Sequence, residues 1–193
     1  MWIANAQHCR EIDRRAGEEF GIPVRTLMEN AGKAVFEEIK TLLPNGGRVS
    51  FACGKGNNGG DGFVAARLAQ KSGYKADCLV ACGEPDLAGD PREEMLAAKE
   101  AGVPILFADD PRYRRRIECL GCRDLLVDAL LGTGAKSELK GYVLEAVQAI
   151  NRSGIPVLSV DVPSGICCDS GEELGDSVWA LKTLTLGQPK PFL

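Results

Sequence analysis

After residue 48 the chain alternates short apolar segments with longer amphipathic ones, and this alternation constrains the fold more than any other feature. Segments with so little internal polarity are typical of strands buried on both faces, and such strands run parallel because helices connect them. The sequence therefore predicts an α/β fold with a three-layer, Rossmann-like, doubly wound and mostly parallel sheet. The predicted strands cover residues 49–53, 76–82, 103–107, 125–130, 156–160 and 181–186.

Apolar periodicity and helix stop signals place the remaining elements. The predicted helices cover residues 6–20, 26–43, 63–70, 91–101 and 139–151. A break at residues 21–23 ends the first, and the run Pro-Asn-Gly-Gly at residues 44–47 ends the second. We interpret Asp110 as the N-cap of a further helix and Pro111 as its first residue.

Length and charge limit the class of protein. A chain of 193 residues suits a single domain. The formal net charge of -4 argues against a general nucleic-acid binder, which needs a basic field. The N-terminus lacks the pattern of a secretory signal, and no apolar run approaches the roughly 18 residues of a membrane span. We therefore expect a cytoplasmic protein that binds neither nucleic acid nor membranes.

Eight cysteines require a separate interpretation. Several lie in or beside predicted strands, where a thiol behaves as a small hydrophobic group. Cys119 and Cys122 have the spacing of half a zinc site or of a redox pair, but a zinc site needs about four ligands and the sequence offers no second pair. His8 is the single histidine. Structural thiols are therefore the favoured interpretation.

A glycine-rich segment, GKGNNGGDG at residues 54–62, follows the first predicted strand. Glycine permits positive φ and lets the backbone approach a ligand closely. The helix predicted to begin near Phe63 would direct free N–H groups at an anion. No Gly-Lys-Ser/Thr closes the segment, so it is not a Walker A loop, and its bare G-x-G-x-x-G pattern is weak evidence by itself. Five glycines in nine positions nevertheless exceed what a tight connection needs, which favours a phosphate-binding turn.

Two further turns follow predicted strands, at residues 128–134 and 161–165. Ligands of parallel α/β sheets bind outside the carboxyl ends of the strands, so these turns should lie beside the glycine-rich one. Asp128 stands within an apolar strand, where an unpaired carboxylate is costly. Asp161 suits acid–base work or a bond to a sugar hydroxyl. A structural cap for Asp128 and a proline-stiffened turn at Asp161 are the alternatives.

Together the three turns supply Asn58, Asp128 and Ser164, an all-oxygen set with one carboxylate. This set suits a hard, weakly charged cation better than zinc or copper. The single histidine leaves no Ser-His-Asp or Cys-His arrangement. Hydride transfer is possible in principle, but the acidic residue expected about 20 residues after a dinucleotide fingerprint is not clearly placed.

With these turns the sequence resembles the NAD(P)H-hydrate epimerase family, the epimerase half of the nicotinamide-nucleotide repair system. The matching segments are residues 21–23, 27–32, 54–62, 128–134, 161–165 and 183–190, in family order. The resemblance implies a homodimer that interconverts the R and S epimers of hydrated NADH and NADPH (NADHX and NADPHX). It also implies that residues 1–193 form one epimerase domain with an abbreviated C-terminal end and no dehydratase domain, so that a separate dehydratase would act in the same pathway.

The resemblance also assigns roles to residues. It implies that Asn58, Asp128 and Ser164 coordinate a potassium ion and that Asp161 contacts the substrate near the reacting ring. The implied substrate-binding residues are Asn57, Asn58, Gly59, Gly60, Asp61, Gly132, Thr133, Gly134, Ala135, Lys136, Ser137, Glu138 and Asp161.

The implied chemistry needs no redox step. The hydroxyl-bearing carbon of the substrate is bonded to the ring nitrogen, so loss of hydroxide leaves a nitrogen-stabilised cation, and water returning to the other face completes the inversion. Our hypothesis is that Asp161 is the acid–base group, a role that contributes roughly 10²–10⁴-fold. The alternatives are a non-catalytic nucleotide-binding or protein-interaction scaffold that retains the pocket, and a dinucleotide-dependent oxidoreductase.

Overall fold

The computed structural model describes residues 3–191, which fold around one six-stranded sheet. The helices are α1 (Ala6–Phe20), α2 (Val24–Leu42), α3 (Asn57–Lys71), α4 (Gly89–Glu100), α5 (Tyr113–Glu118) and α6 (Gly141–Ser153). The strands are β1 (Arg48–Cys53), β2 (Lys75–Val80), β3 (Ile105–Phe107), β4 (Leu125–Ala129), β5 (Val157–Val160) and β6 (Lys182–Leu184). All six strands lie where the apolar segments predict them.

The strand order is β3-β2-β1-β4-β5-β6, and every pairing is parallel. This confirms the predicted doubly wound α/β fold. The order reverses between β1 and β4, so the carboxyl ends of these two strands border the crevice in which ligands of such sheets bind.

Two apolar layers cover the sheet. Alternate strand residues such as Phe51 and Val127 pack against α2, α3 and α4 on one face. Their neighbours, such as Leu126, pack against α5 and α6 on the other face. Cys53 and Cys78 are fully buried in the first layer, as expected for structural thiols. Burial on both faces explains why the strands read as continuous apolar runs.

The predicted start of α5 is wrong. Helix α5 begins at Tyr113, so Pro111 is not its first residue. Asp110 instead accepts a hydrogen bond from the Arg112 backbone N–H at 2.8 Å and pairs with the Arg112 guanidinium at 2.6 Å. A short acidic side chain that finds donors two residues away competes with helix formation, which explains the later start.

No helix within residues 3–191 combines the length and apolar character that crossing a membrane requires.

Candidate active site

A cleft of about 1130 Å³ opens at the carboxyl ends of the central strands. The three sequence-predicted turns form its floor, since residues 54–58, 130–135 and Asp161 border it. Helices α1 and α2 form one wall, and residues 184–188 with Lys190 form another. A ligand site at the point where the strand order reverses is the expected arrangement for this fold.

The glycine-rich segment is largely helical, which corrects the sequence prediction. Helix α3 begins at Asn57 rather than near Phe63, so only residues 54–56 form the turn. Gly56 is the N-cap and supplies no side-chain bond to the first N–H groups of α3. These N–H groups lack carbonyl partners within the helix and lie at the cleft, where an anion can accept their hydrogen bonds.

The glycines in this segment serve close packing rather than positive φ, which none of them adopts. A Cβ at Gly59 would overlap the carbonyl oxygen of Gly54, and a Cβ at Gly60 would overlap the thioether of Met28 on α2. At Gly62 it would lie 2.7 Å from the Cβ of Ala129. The absence of side chains therefore lets α3 start directly on top of β1 and β4.

Asp128 lies beneath the cleft floor and is completely buried. Its two carboxylate oxygens accept hydrogen bonds from the hydroxyls of Ser164 at 2.6 Å and Ser159 at 2.8 Å, and from the Ser164 N–H at 2.9 Å. Burial raises the pKa of Asp128, and the hydrogen bonds from Ser164 and Ser159 oppose the rise. No lysine or arginine among residues 3–191 pairs with this carboxyl group.

Asn58 joins the same cluster from α3. Its Nδ2 donates to the carbonyl oxygen of Leu131 at 2.9 Å, and the Ser164 Oγ lies 3.3 Å from that oxygen. The Oδ1 of Asn58 is buried and has no hydrogen-bond partner within the described chain. Buried polar atoms are nearly always satisfied, so an orphaned amide oxygen beside a carboxylate cluster marks a place where a cation can bind.

Asp161 follows β5 with a φ of 69°, in the left-handed region that non-glycine residues rarely adopt. Such backbone strain costs about 1–3 kcal/mol and is concentrated at functional sites. Its Oδ1 accepts hydrogen bonds from the Leu186 N–H at 3.2 Å and from the Lys190 ammonium. A Cβ at Gly132 would lie 3.5 Å from the Oδ2 of Asp161 and 3.5 Å from the Cβ of Asn58, so the side chains of Asp161 and Asn58 converge at Gly132.

Lys190 is the main residue of the site to which sequence reasoning assigned no role. Its side chain is 1% exposed, and its ammonium also donates to the Leu186 carbonyl at 2.7 Å and to the Thr185 hydroxyl at 3.2 Å. The sequence alone gives no motif that links Lys190 to Asp161, because the two residues lie 29 positions apart. The sequence feature that could have indicated a role for Lys190 is its position in the segment 183–190, which matches the family.

Asp61 lies on α3, three residues after Asn58. It borders the cleft and is 8% exposed. Burial, followed by the nearby charges of Asp161 and Asp13, raises the pKa of its carboxyl well above the usual range. Asp13 comes from α1 and also borders the cleft. Asp13, Asp61 and Asp161 therefore bring carboxyl groups from three elements to the cleft, which the buried Lys190 also borders.

The structure brings most, but not all, of the predicted substrate-binding residues to the cleft surface. Those bordering it are Asn57, Asn58, Asp61, Gly132, Thr133, Gly134, Ala135 and Asp161. Gly59 and Gly60 face protein backbone and Met28 instead. Lys136, Ser137 and Glu138 do not border it, and the Cγ of Glu138 is packed close to Gly175. Their contact with a substrate stays a prediction.

Comparisons with known proteins identify relatives of this chain. The family model for the YjeF-related protein N-terminus matches residues 24–192. An NAD(P)H-hydrate epimerase of Rhodopirellula baltica is 41% identical over 184 residues, covering 95% of this chain and 74% of the relative. A bifunctional NAD(P)H-hydrate repair enzyme Nnr of Thermofilum pendens is 38% identical over 98% of this chain, which spans 36% of that relative.

A solved structure shares the fold. The crystal structure of the yeast protein ynu0 (YNL200c) matches all of this chain and 83% of its own with a TM-score of 0.89, at 26% identity. The match to the family model over most of the chain, and the identity to a curated epimerase over nearly all of it, confirm the resemblance seen in the sequence. The chain belongs to the YjeF-related protein N-terminus family, that of the NAD(P)H-hydrate epimerases.

Proposed function

We propose that this protein interconverts the R and S epimers of hydrated NADH and NADPH. The observation that carries the proposal is the position of Asp161, a strained carboxylate held by a buried lysine at the edge of a large cleft. The names of the relatives supply the substrate class, since curated relatives are NAD(P)H-hydrate epimerases. The cleft volume exceeds the roughly 300–1,000 Å³ of pockets for drug-sized ligands, as a dinucleotide requires.

The two ends of the cleft suit the two ends of such a substrate. The free N–H groups at the start of α3 are suited to its phosphates, with Lys55 and Lys140 also on the cleft surface. The modified nicotinamide ring would then lie towards Asp161 and Gly132.

The chemistry at the ring requires proton transfer. An ionised Asp161, which accepts the ammonium hydrogen bond of Lys190, is suited to take a proton from the water that returns to the ring cation. The covered cleft, with α1 and α2 over the strand ends, holds the ring in one orientation while the carbon–oxygen bond breaks and re-forms.

We also propose that Asn58, Asp128 and Ser164 hold a potassium ion. The residues fit this ion, because the orphaned Oδ1 of Asn58 and the uncompensated carboxylate of Asp128 belong to one all-oxygen cluster with Ser164. Within residues 3–191 no group of three His, Cys, Asp or Glu side chains offers a site for a softer metal. A bound potassium ion would neutralise Asp128 and help orient the phosphate-bearing part of the substrate.

Potassium should therefore raise the melting temperature of the wild-type protein more than lithium or choline at equal ionic strength, since an ion that binds the folded state stabilises it. Asn58→Ala should raise the potassium concentration needed for half of this stabilisation about tenfold, because it removes the orphaned oxygen. Differential scanning fluorimetry over a potassium titration measures both. An identical response to the three salts would contradict the ion site.

The decisive assay follows epimer interconversion of purified NADH hydrate by chromatography, with and without potassium. The proposal predicts acceleration starting from either epimer, since a catalyst speeds both directions. No acceleration from either epimer, by a protein that still binds NADH hydrate, would leave a non-catalytic nucleotide-binding scaffold as the better description.

We propose in addition that the protein is a homodimer. Three apolar side chains at the junction of α1 and α2 are exposed, namely Phe20 at 71%, Val24 at 40% and Ile22 at 36%. An apolar patch of this kind favours a protein interface. Sedimentation velocity should give twice the mass of one chain, and Phe20→Glu should shift the population towards the monomer.

A further inference from the structure

Asp61 differs from the other buried carboxyl groups of the described chain in its hydrogen bonding. Asp77, Glu94, Asp128 and Asp161 each accept hydrogen bonds from at least two protein donors. The Asp61 side chain accepts none from residues 3–191, although it is 8% exposed and borders the cleft. Its carboxyl group can therefore exchange protons only with whatever occupies the cleft.

Charge in the cleft wall leads to the same conclusion. The charges that act on Asp61 are the carboxylates of Asp161, after β5, and of Asp13, on α1. Lys190 pairs with Asp161, and within residues 3–191 none of the other basic residues of the cleft, Arg10, Lys55 and Lys140, forms an ion pair with Asp61. An ionised carboxylate without a donor or counter-charge is expensive to bury. Asp61 therefore retains its proton while Asp161 is ionised, and burial with the like charges keeps its pKa high.

We propose that Asp61 is the catalytic acid of the epimerisation and donates its proton to the departing hydroxyl group of the substrate. This inference rests on the proposed function and adds a second catalytic residue to it. Two carboxyl groups in one cleft then have different roles because their surroundings differ: Asp61 is neutral and unpartnered, whereas Asp161 is ionised and bound to Lys190.

The proton transfers balance. The proton of Asp61 passes to the hydroxyl oxygen, the carbon–oxygen bond breaks with its electron pair on oxygen, and water leaves. The ring nitrogen stabilises the resulting cation. A second water forms the new carbon–oxygen bond on the opposite face and gives a proton to Asp161. Proton exchange with solvent then restores the starting state, and the reverse epimerisation uses the two carboxyl groups in exchanged roles.

Asp61→Asn tests the assignment directly. The amide keeps the shape but has no acidic proton, so kcat should fall about 100-fold while KM changes less than about threefold. Wild-type kcat should fall as pH rises through the pKa of Asp61, and the residual rate of the variant should lack this alkaline decline. Undiminished kcat in a folded Asp61→Asn protein, or an alkaline decline that persists in it, would overturn the proposal.

A stability measurement separates this inference from the proposed function. A folded-state pKa raised above the unfolded value means that the folded protein binds more protons, so stability falls as pH rises from about 4. The melting temperature of the wild type should therefore fall relative to that of Asp61→Asn as pH increases. A wild-type melting temperature that rises relative to that of Asp61→Asn as pH increases would show that Asp61 is ionised in the folded protein. It would refute the assignment of Asp61 as the catalytic acid. A wild-type protein inactive on NADH hydrate would instead refute the proposed function.

If Asp61→Asn fails to fold, the wild-type pH–rate profile decides. The proposal requires kcat to decline on the alkaline side, because the acid must be protonated. A kcat that stays level or rises with pH would overturn it.

Discussion

Replacing Gly59 with alanine lowers the free energy of unfolding by at least about 3 kcal/mol, the upper part of the range for overpacking. The added Cβ would overlap the carbonyl oxygen of Gly54 and lie 2.8 Å from its carbonyl carbon. Gly54 cannot move away, because its N–H donates to the Ala129 carbonyl at 2.9 Å and its own α-carbon faces the Leu130 carbonyl. Thermal and urea unfolding followed by circular dichroism measure the loss, which corresponds to about 6–12 °C in Tm.

Gly56→Ala is the matched control, since it adds the same methyl group three residues earlier. Nothing lies within 4 Å of a Cβ at Gly56, and its φ of -95° suits alanine. Gly56→Ala should lower the free energy of unfolding by less than about 1 kcal/mol, because alanine is a weaker N-cap than glycine. Equal stability of the two alanine variants would contradict the packing account of the glycine-rich segment.

Asp161→Asn should lower kcat for NADH hydrate by about 10³-fold or more, towards the upper part of the range for a catalytic proton-transfer group. The variant loses the ionised oxygen at the ring end of the cleft and the counter-charge of Lys190. Stopped assays with chromatographic separation of the epimers measure the rate. Asp110→Asn is the matched control, because Asp110 also pairs with a basic side chain but does not border the cleft. It should leave kcat unchanged.

Stability complicates this experiment, because a buried lysine without its partner destabilises a protein by about 3–5 kcal/mol. The double variant Asp161→Asn with Lys190→Met removes both buried charges. It should regain much of the stability lost in Asp161→Asn, since replacing a whole buried pair is often near neutral. Its kcat should stay low. Recovery of activity together with stability would show that Asp161 only supports the fold.

Local signals were strong enough to predict several elements. Helix α1 covers residues 6–20 as predicted, because Asn5 caps it by accepting the His8 N–H at 2.8 Å and Gly21 ends it at a φ of 63°. The central strands β1 and β4 were predicted to within one residue at each end, since burial on both faces leaves a continuous apolar run in the sequence.

The start of α3 was predicted wrongly for a physical reason. Residues 57–62 are poor helix formers by local preference, so the sequence indicates a loop up to Phe63. Packing against Gly54, Met28 and Ala129 overrides that preference, because only glycine allows the close approach. The glycines were correctly taken as significant, but their function in close packing is visible only in three dimensions.

Residue patterns alone predict the sheet, the three turns at its carboxyl edge and the oxygen-rich set of Asn58, Asp128 and Ser164, because strand ends of a parallel sheet meet at one edge. Which side-chain oxygens at this edge have hydrogen-bond donors is visible only in the folded chain. Lys190 lies against Asp161, and within residues 3–191 neither the Asp61 carboxyl group nor the Oδ1 of Asn58 accepts a hydrogen bond. Burial and hydrogen bonding depend on residues distant in the chain, and these contacts distinguish the proposed acid, base and ion ligand among similar side chains.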